Sequence, residues 1–589
     1  MPSNLFRIVI FTSATPPELR HFLWRLRVDL PEVEVAGVLY ETGRPRLPLS
    51  RRIDRVRRHL GDVDFLRYTA SRAGARARGA LARVATRALH AVHATKGSPN
   101  PGPLTLDELV REDEGARMPF HVTADLHDEA SLAFVAGLGA DLGVIYGTRI
   151  LKPELFTIPR LGSVNIHKHK VPDYRGSGAP GLWELRDGAT EQTVTVHRVT
   201  REVDAGVVLG ERSFPIEPLD TLASVGLKAN LLAIDCLVDV IRAESRGESV
   251  ERPQGSAGTV FKGFQPHQIW AIERAIRARR PRFRPELGRS ILRLIPRVLA
   301  HPCVVLRNLR RAREKRFPVV ILFHHLVSDR EKFMGIPTDY FLRHVKFLKE
   351  HYRIVSLPEA VGLLESGEVD APTVALTFDD GYAENFLGLR AVVEAENVPV
   401  TMFVSTHHVA ERSEFRHDVD AEEHGFPALS WDEVRYFDRH NVCVSSHTRT
   451  HFDCGATDEA RLRDEIAGSL EDLRRELGHD VLYFSFPKGH PEHMSEPARR
   501  IAQETYPYVF SASGGVNHAP LERGAVLKRA SHPQSLLELE LALQSLLDLE
   551  GSLGARLMGL PRRLVRRIRP APALASRSAE VPVSVEAME

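Results

Sequence analysis

Two adjacent carboxylates and two histidines four apart carry the first candidate chemistry in this 589-residue chain. Asp379 and Asp380 close the apolar, β-branched run from Val374 to Phe378, just ahead of Gly381. The acids therefore sit where a strand gives way to a loop, the usual seat of catalytic groups in α/β folds. Neighbouring residues leave a strand end on opposite sides, so one acid can bind a cation while the other stays a free base. Downstream, the apolar segment Val442 to Ser446 runs into His447-Thr448-Arg449-Thr450-His451. Imidazoles four apart fall on one side of a helical turn, or of a loop that mimics one, which suits a divalent metal. With Asp380 they form a His2Asp set that leaves positions open for water and substrate, the pattern of catalytic zinc. The metal would polarise an acyl carbonyl while Asp379 takes the proton of the attacking water. Either motif alone reads equally well as a surface turn; the two together, each closing a strand-like run, favour the metal site.

A second constellation lies upstream. Gly162 to His167 alternates as a strand does and puts Asn165 and His167 on one side. Val171 to Gly176 forms a stiff turn, and Val203-Asp204-Ala205-Gly206 supplies a carboxylate. An amide donor and an imidazole can hold a developing oxyanion while a carboxylate relays the proton of an attacking amine. That is the equipment for acyl transfer to an amine, although by spacing alone a core histidine reads equally well.

The elements around these residues form two α/β patterns. Phe6 to Phe11, Pro17 to Val28 and Val33 to Tyr40 predict a βαβ opening, and the rhythm resumes at Met118 with a helix over Asp128 to Gly137. Between them, Arg46 to Gly102 is rich in arginine and alanine and predicts an inserted helical lid with a solvated face. The expected divisions are 1–264 for the first domain and 265–316 for a basic helical linker broken by prolines. A second domain spans 317–549, ending in a helix over Ser535 to Leu549, and a basic then disordered tail follows over 550–589. The linker segment Ile291 to Leu299 is amphipathic and basic, with packing between the domains as the favoured reading and contact with an anionic membrane as the other.

Composition bounds the rest. A chain of 589 residues exceeds one core, and 43% hydrophobic with 26% charged residues is ordinary for globular protein. A net charge of +2 without aromatics among the basic runs argues against nucleic acid. Four cysteines without a pairing pattern point to a reducing compartment. The start MPSNLFRIVIFTS lacks a signal-peptide pattern and no apolar run reaches membrane-spanning length. The expectation is a cytoplasmic protein, at most peripheral to a membrane, acting on precursors. Its oligomeric state is left open.

Residues 317 to 545 resemble a polysaccharide deacetylase (NodB-homology) domain. The likeness rests on FPVVILFHHL with His324, on TFDDG, on the histidine pair His447/His451, on Phe484-Ser485-Phe486-Pro487-Lys488-Gly489, and on Gly514-Gly515 with Leu527-Lys528-Arg529. It implies a deformed (β/α) barrel that removes N- or O-acyl groups from carbohydrates, with Asp379 as general base and Asp380, His447 and His451 on the metal. The family's late general-acid histidine has His532 as its nearest counterpart, and Lys488 replaces a common aromatic.

Residues 120 to 262 resemble the folate-dependent formyltransferases, the group that includes methionyl-tRNA and sugar-nucleotide formyltransferases. Here the likeness rests on Tyr146 to Leu151, on the block Asn165 to Gly176, on Pro180 and Trp183, and on Asp204 with Gly206. It implies a Rossmann-like fold using N10-formyltetrahydrofolate, with Tyr146, Gly147, Ile150 and Leu151 in the cofactor loop and Asn165, His167 and Asp204 catalytic. His169-Lys170-Val171 departs from the usual residues. The joint expectation is a bifunctional α/β enzyme that removes the acyl group from an amino sugar, nucleotide- or lipid-linked, and formylates the freed amine. The competing expectation is a deacetylase whose N-terminal half only holds substrate.

Overall fold

The computed structural model of the chain describes residues 5–42, 104–114, 118–255, 258–261, 266–278, 306–332 and 334–531, with a few isolated positions besides. Nearly all of the expected insertion at 46–102, the proline-broken part of the linker, His532, most of the expected closing helix and the tail lie outside the described residues.

The first domain is built on a seven-stranded sheet. Its strands are β1 (Phe6–Thr12), β2 (Val33–Glu41), β3 (Phe120–Thr123), β4 (Leu142–Tyr146), β5 (Ser163–His167), β7 (Glu191–Arg198) and β8 (Val208–Pro215), in the order β3-β2-β1-β4-β5-β7-β8. The first five run parallel and the last two turn antiparallel. Their sequences explain this. LGVIY of β4 is apolar throughout and buried along its length, as a parallel strand covered on both faces must be. Helix α1 (Pro16–Asp29) starts where Thr15 and Glu18 cap each other and proline occupies the first turn. Helix α2 (Glu129–Leu138) starts on Asp128, whose carboxylate accepts from Ser131 N at 2.7 Å. A two-stranded ribbon of β6 (Tyr174–Gly176) and β9 (Thr259–Phe261) flanks the end of β5.

The second domain is a nearly closed parallel barrel. Its strands are β10 (Val319–His324), β11 (Arg353–Val355), β12 (Thr373–Phe378), β13 (Val400–Val404), β14 (Val442–Ser446), β15 (Tyr483–Ser485), β16 (Tyr508–Ser511), β17 (Val526–Lys528) and β18 (Ala530–Ser531). The two ends of the sheet are consecutive pieces of one segment. Leu527 pairs with Phe510 while Ala530 pairs with Leu322, so Val526 to Ser531 bridges the gap between β16 and β10. The barrel is deformed at β12, whose beginning pairs with β11 and whose end pairs with β13.

The two domains share a buried seam. Helix α3 (Leu222–Arg246) and α1 face α4 (Gly388–Glu396) and α5 (Trp431–Arg439) of the barrel. Leu387 packs on the core of the sheet domain and Leu227 on the core of the barrel. Across the seam, Arg25 reaches Glu394 at 3.1 Å and Arg390 reaches Asp235 at 2.5 Å, while Arg25 also meets Asp235 and Arg390 also meets Glu394, each at 2.8 Å within its own domain. Both guanidiniums are almost wholly buried, so each carboxylate compensates a desolvated cation.

The seam also fixes how the domains point. At one end, Leu219 N donates to Asp329 O at 2.9 Å and Lys228 meets the Asp329 carboxylate at 2.7 Å. Leu219 follows β8 and Asp329 follows β10, which places the carboxyl ends of these strands there. At the other end, Asp29 at the end of α1 meets His440 after α5 at 2.9 Å. The carboxyl ends of both parallel sheets, where α/β catalytic groups gather, thus face the same side of the molecule.

Candidate active sites

In the barrel, the strand-end positions of β12 and β14 bring Asp380, His447 and His451 together. Their ligand atoms all lie within 4.8 Å of one another. His447 Nε2 stands 3.6 Å and His451 Nε2 3.3 Å from Asp380 Oδ1. His447 donates from Nδ1 to the Ser485 carbonyl at 2.8 Å, which fixes its tautomer and turns Nε2 into the cluster. The histidines sit on an irregular loop rather than a helical turn, with Asp380, Thr448 and His451 at φ 71°, 65° and 52°. Non-glycine residues in this left-handed region cost of order 1 to 3 kcal/mol each and gather at sites that need special geometry.

These residues fit a divalent cation. Both oxygens of Asp380 are buried and accept no hydrogen bond. A buried carboxylate left in that condition is expensive unless a cation stands beside it. Burial pushes the imidazoles of His447 and His451 down, His451 to about 3, so both are the neutral bases that metal ligation needs. Burial alone would raise the Asp380 carboxyl, yet electrostatic interaction with the surrounding imidazoles, His451 foremost, holds it below its ordinary value.

Asp379 points into a different environment. Arg529, fully buried between β17 and β18, grips it with two hydrogen bonds, Nη1 to Oδ1 at 2.6 Å and Nη2 to Oδ2 at 2.8 Å. The same guanidinium donates to Ser485 Oγ at 2.6 Å and to Thr377 Oγ1 at 3.1 Å. Burial works to raise the Asp379 carboxyl, but Arg529 and His447 outweigh it and hold it low. Asp379 is therefore an ionised, aimed carboxylate beside the cluster of Asp380, His447 and His451. In the sequence, Arg529 stands out only as part of a closing strand. The available signal was alternation, which puts position 529 on the same inward side as Leu527. His325 interacts electrostatically with both aspartates, and His324, the histidine of the opening strand, is buried with its ring 6.0 Å from that of Phe378.

In the sheet domain, Asn165, His167 and Asp204 also converge. Asn165 Nδ2 donates to Asp204 Oδ1 at 3.4 Å and approaches His197 Nε2 at 3.2 Å. His167 Nδ1 stands 3.5 Å from Asp204 Oδ2, while its Nε2 donates to the Tyr174 carbonyl at 2.6 Å. Gly176 N donates to Asp204 Oδ2 at 2.9 Å. Burial would raise Asp204, but the His197 hydrogen bond, the charge of His167 and this amide hold it down at about 2. Burial pushes the His167 imidazole below its ordinary value against the pull of Asp204. The loop carrying Asp204, at φ 51°, is fastened by Gln254, whose amide donates to the carbonyls of Asp204 at 2.9 Å and Gly206 at 2.7 Å. Gln254 Oε1 accepts in turn from Arg175. Neither His197 nor Gln254 carries a sequence signal, since both join the site only through strand pairing and a distant loop.

The expected cofactor loop leaves β4 beside this cluster. Tyr146 is buried and stacks on Phe22 at 4.4 Å, Gly147 turns at φ 72°, Leu151 is buried, and Ile150 is 72% exposed. Tyr146 thus supports the loop from beneath, and Ile150 is the apolar side chain it presents. His169, two residues beyond His167, is buried and bonded through Nδ1 to Glu184 at 2.9 Å.

Comparison with known proteins bears on both halves. Residues 105–241 match the family model for formyl transferase and residues 366–506 that for polysaccharide deacetylase. The chain joins a formyltransferase domain to a polysaccharide deacetylase domain. Among curated relatives, the methionyl-tRNA formyltransferase of Roseiflexus sp. (strain RS-1) is 32% identical over 146 residues, covering 24% of this chain and 44% of the relative. That of Phenylobacterium zucineum (strain HLK1) is 31% identical over 185 residues, covering 31% of this chain and 58% of the relative. The chain thus spans about half the length of the curated relatives it matches. Among solved structures, Streptococcus pyogenes deacetylase PplD in complex with acetate aligns at 16% identity and a TM-score of 0.33, covering 39% of this chain and 99% of that one. Glycinamide ribonucleotide transformylase 1 from Symbiobacterium toebii aligns at 15% identity and a TM-score of 0.29, covering 43% and 96%. Among the described residues no helix is long and apolar enough to cross a membrane.

Proposed function

We propose that the chain is a bifunctional enzyme in which the barrel hydrolyses the acetamide of an amino sugar and the sheet domain formylates the resulting amine from N10-formyltetrahydrofolate. The observation that carries this reading is the pairing itself. One site is equipped to release an amine, the other to acylate one, and the seam turns both toward one side. A divalent ion, zinc by default for this donor set, would be held by Asp380, His447 and His451 and would supply Lewis acidity toward the acyl carbonyl. Asp379, ionised and aimed by Arg529, accepts the proton of the attacking water. Breaking the amide then needs a proton for the departing nitrogen, the role in which His532 was cast from the sequence. In the sheet domain Asn165 and His167 would stabilise the oxyanion of the transferring formyl group, and Asp204 would accept the proton of the attacking amine.

The test is to give the protein an N-acetylamino sugar nucleotide and N10-formyltetrahydrofolate with metal present. Acetate and an N-formylated sugar are expected together by mass spectrometry. Acetate without formylated sugar would sink the coupling and leave the hydrolase. A second reading, in which the sheet domain only holds substrate, draws on one observation: His167 spends its Nε2 proton on the Tyr174 carbonyl instead of facing open space. In that case replacing Asn165, His167 or Asp204 by alanine leaves every activity intact.

A further inference from the structure

The deacetylase site has a wall that neither the metal set nor the base accounts for. Between the helices Thr406–Glu411 and Trp431–Arg439, residues 413–429 make an excursion over the metal loop. It is firmly tied there: Ala428 N donates to Ser413 O at 3.0 Å, Ala383 N to Pro427 O at 2.9 Å, and Leu429 N to Gly381 O at 2.8 Å. The polar side chain it turns toward the metal set is His417, about one third exposed, with its ring 5.0 Å from that of His451.

An ion pair followed by two hydrogen bonds decides how His417 is presented. Lys332, with no exposed side-chain surface, meets Asp418 Oδ1 at 2.6 Å. Asp418 Oδ2 accepts the Tyr382 hydroxyl at 2.7 Å. Tyr382 has one proton and has given it to Asp418, so at 2.9 Å the Nε2 of His417 must be the donor to the phenolic oxygen. In the neutral ring the remaining nitrogen, Nδ1, is then a lone-pair acceptor on a side chain about one third exposed, held in place by Tyr382, Asp418 and Lys332 in series.

We propose that His417 is a substrate-positioning residue of the deacetylase, accepting through Nδ1 a hydrogen bond from an N–H or O–H of the sugar beside the scissile acyl group. This rests on the deacetylase reading above. The contact orients the substrate by a single acceptor, and Tyr382 and Asp418 act only through it. Neither family motif contains this histidine, because it enters the site on an excursion between strands rather than at a strand end.

The experiment compares KM and kcat for acetate release from UDP-N-acetylglucosamine by the zinc-loaded full chain and three variants. Asn places an amide oxygen near the position of Nδ1, whereas Gln places its terminal group near Nε2. His417→Ala and His417→Gln should raise KM about three- to tenfold, the loss of one hydrogen bond, and His417→Asn should keep it within about twofold. Zinc content and hydrolysis of 4-nitrophenyl acetate, which has no sugar donor, should stay unchanged in all three. The arms separate the donors: with an O-acetylated sugar, a parallel rise in KM identifies a hydroxyl, and no rise identifies the amide N–H. An unchanged KM in the Ala and Gln variants overturns the proposal, as does loss of zinc in parallel with activity. If the unaltered protein releases no acetate from the sugar probe, the deacetylase reading falls as well, which sets that failure apart.

Discussion

Replacing Arg529 by methionine tests the account of the barrel site most directly. The change removes a cation that makes two hydrogen bonds to Asp379 and one each to Ser485 and Thr377, all inside the barrel. Methionine fills similar volume, so the loss is electrostatic rather than steric. Breaking a buried pair by deleting one partner leaves an uncompensated charge and costs about 3 to 5 kcal/mol. Denaturant unfolding should show Arg529→Met destabilised by that amount at neutral pH. Asp379→Asn combined with Arg529→Met should recover a large part of it, giving a coupling energy of about 2 kcal/mol or more in the double-mutant cycle. Acetate release by Arg529→Met, measured well below its unfolding temperature, should fall at least about 100-fold, since a loosely held base loses its alignment. Additive single-mutant effects, or an activity within a fewfold of the unaltered protein, would refute the claim that Arg529 both compensates and aims Asp379.

Further outcomes follow from the same structure. Asp380→Ala should lower the equilibrium content of a bound divalent ion to background while the protein stays folded, as read by metal analysis and circular dichroism. Asp204 is held at about 2 in the folded protein against an ordinary value near 3.9, so its contribution to stability is present above about pH 4 and is lost as pH falls through about 2. Asp204→Asn should therefore cost roughly 2 kcal/mol at pH 7, and denaturant titrations should show the difference from the unaltered protein shrinking toward zero near pH 2. Arg390→Met removes the cation shared by Asp235 and Glu394 in the seam. Calorimetry should then show one unfolding transition dividing into two, because the domains lose their electrostatic coupling.

The sequence determined which polar side chains stand at the strand ends. Apolar runs such as Val374 to Phe378 and Val442 to Ser446 must be buried strands, and a polar cluster closing such a run has nowhere to go but the sheet edge. Asp380 with His447 and His451, and Asn165 with His167 and Asp204, were legible for that reason, since their positions follow from strands each fixed by its own residues. Arg529, His197, Gln254 and His417 were not. Each reaches its site through pairing or packing with a segment far along the chain, and local pattern holds no record of which distant segment that will be. The seam between the domains belongs to the same class, because Arg25, Asp235, Arg390 and Glu394 look like solvated helix charges until two helix faces meet and exclude water. Which side each sheet turns its catalytic edge toward was decided there, by long-range contacts whose energy exists only once both domains have folded.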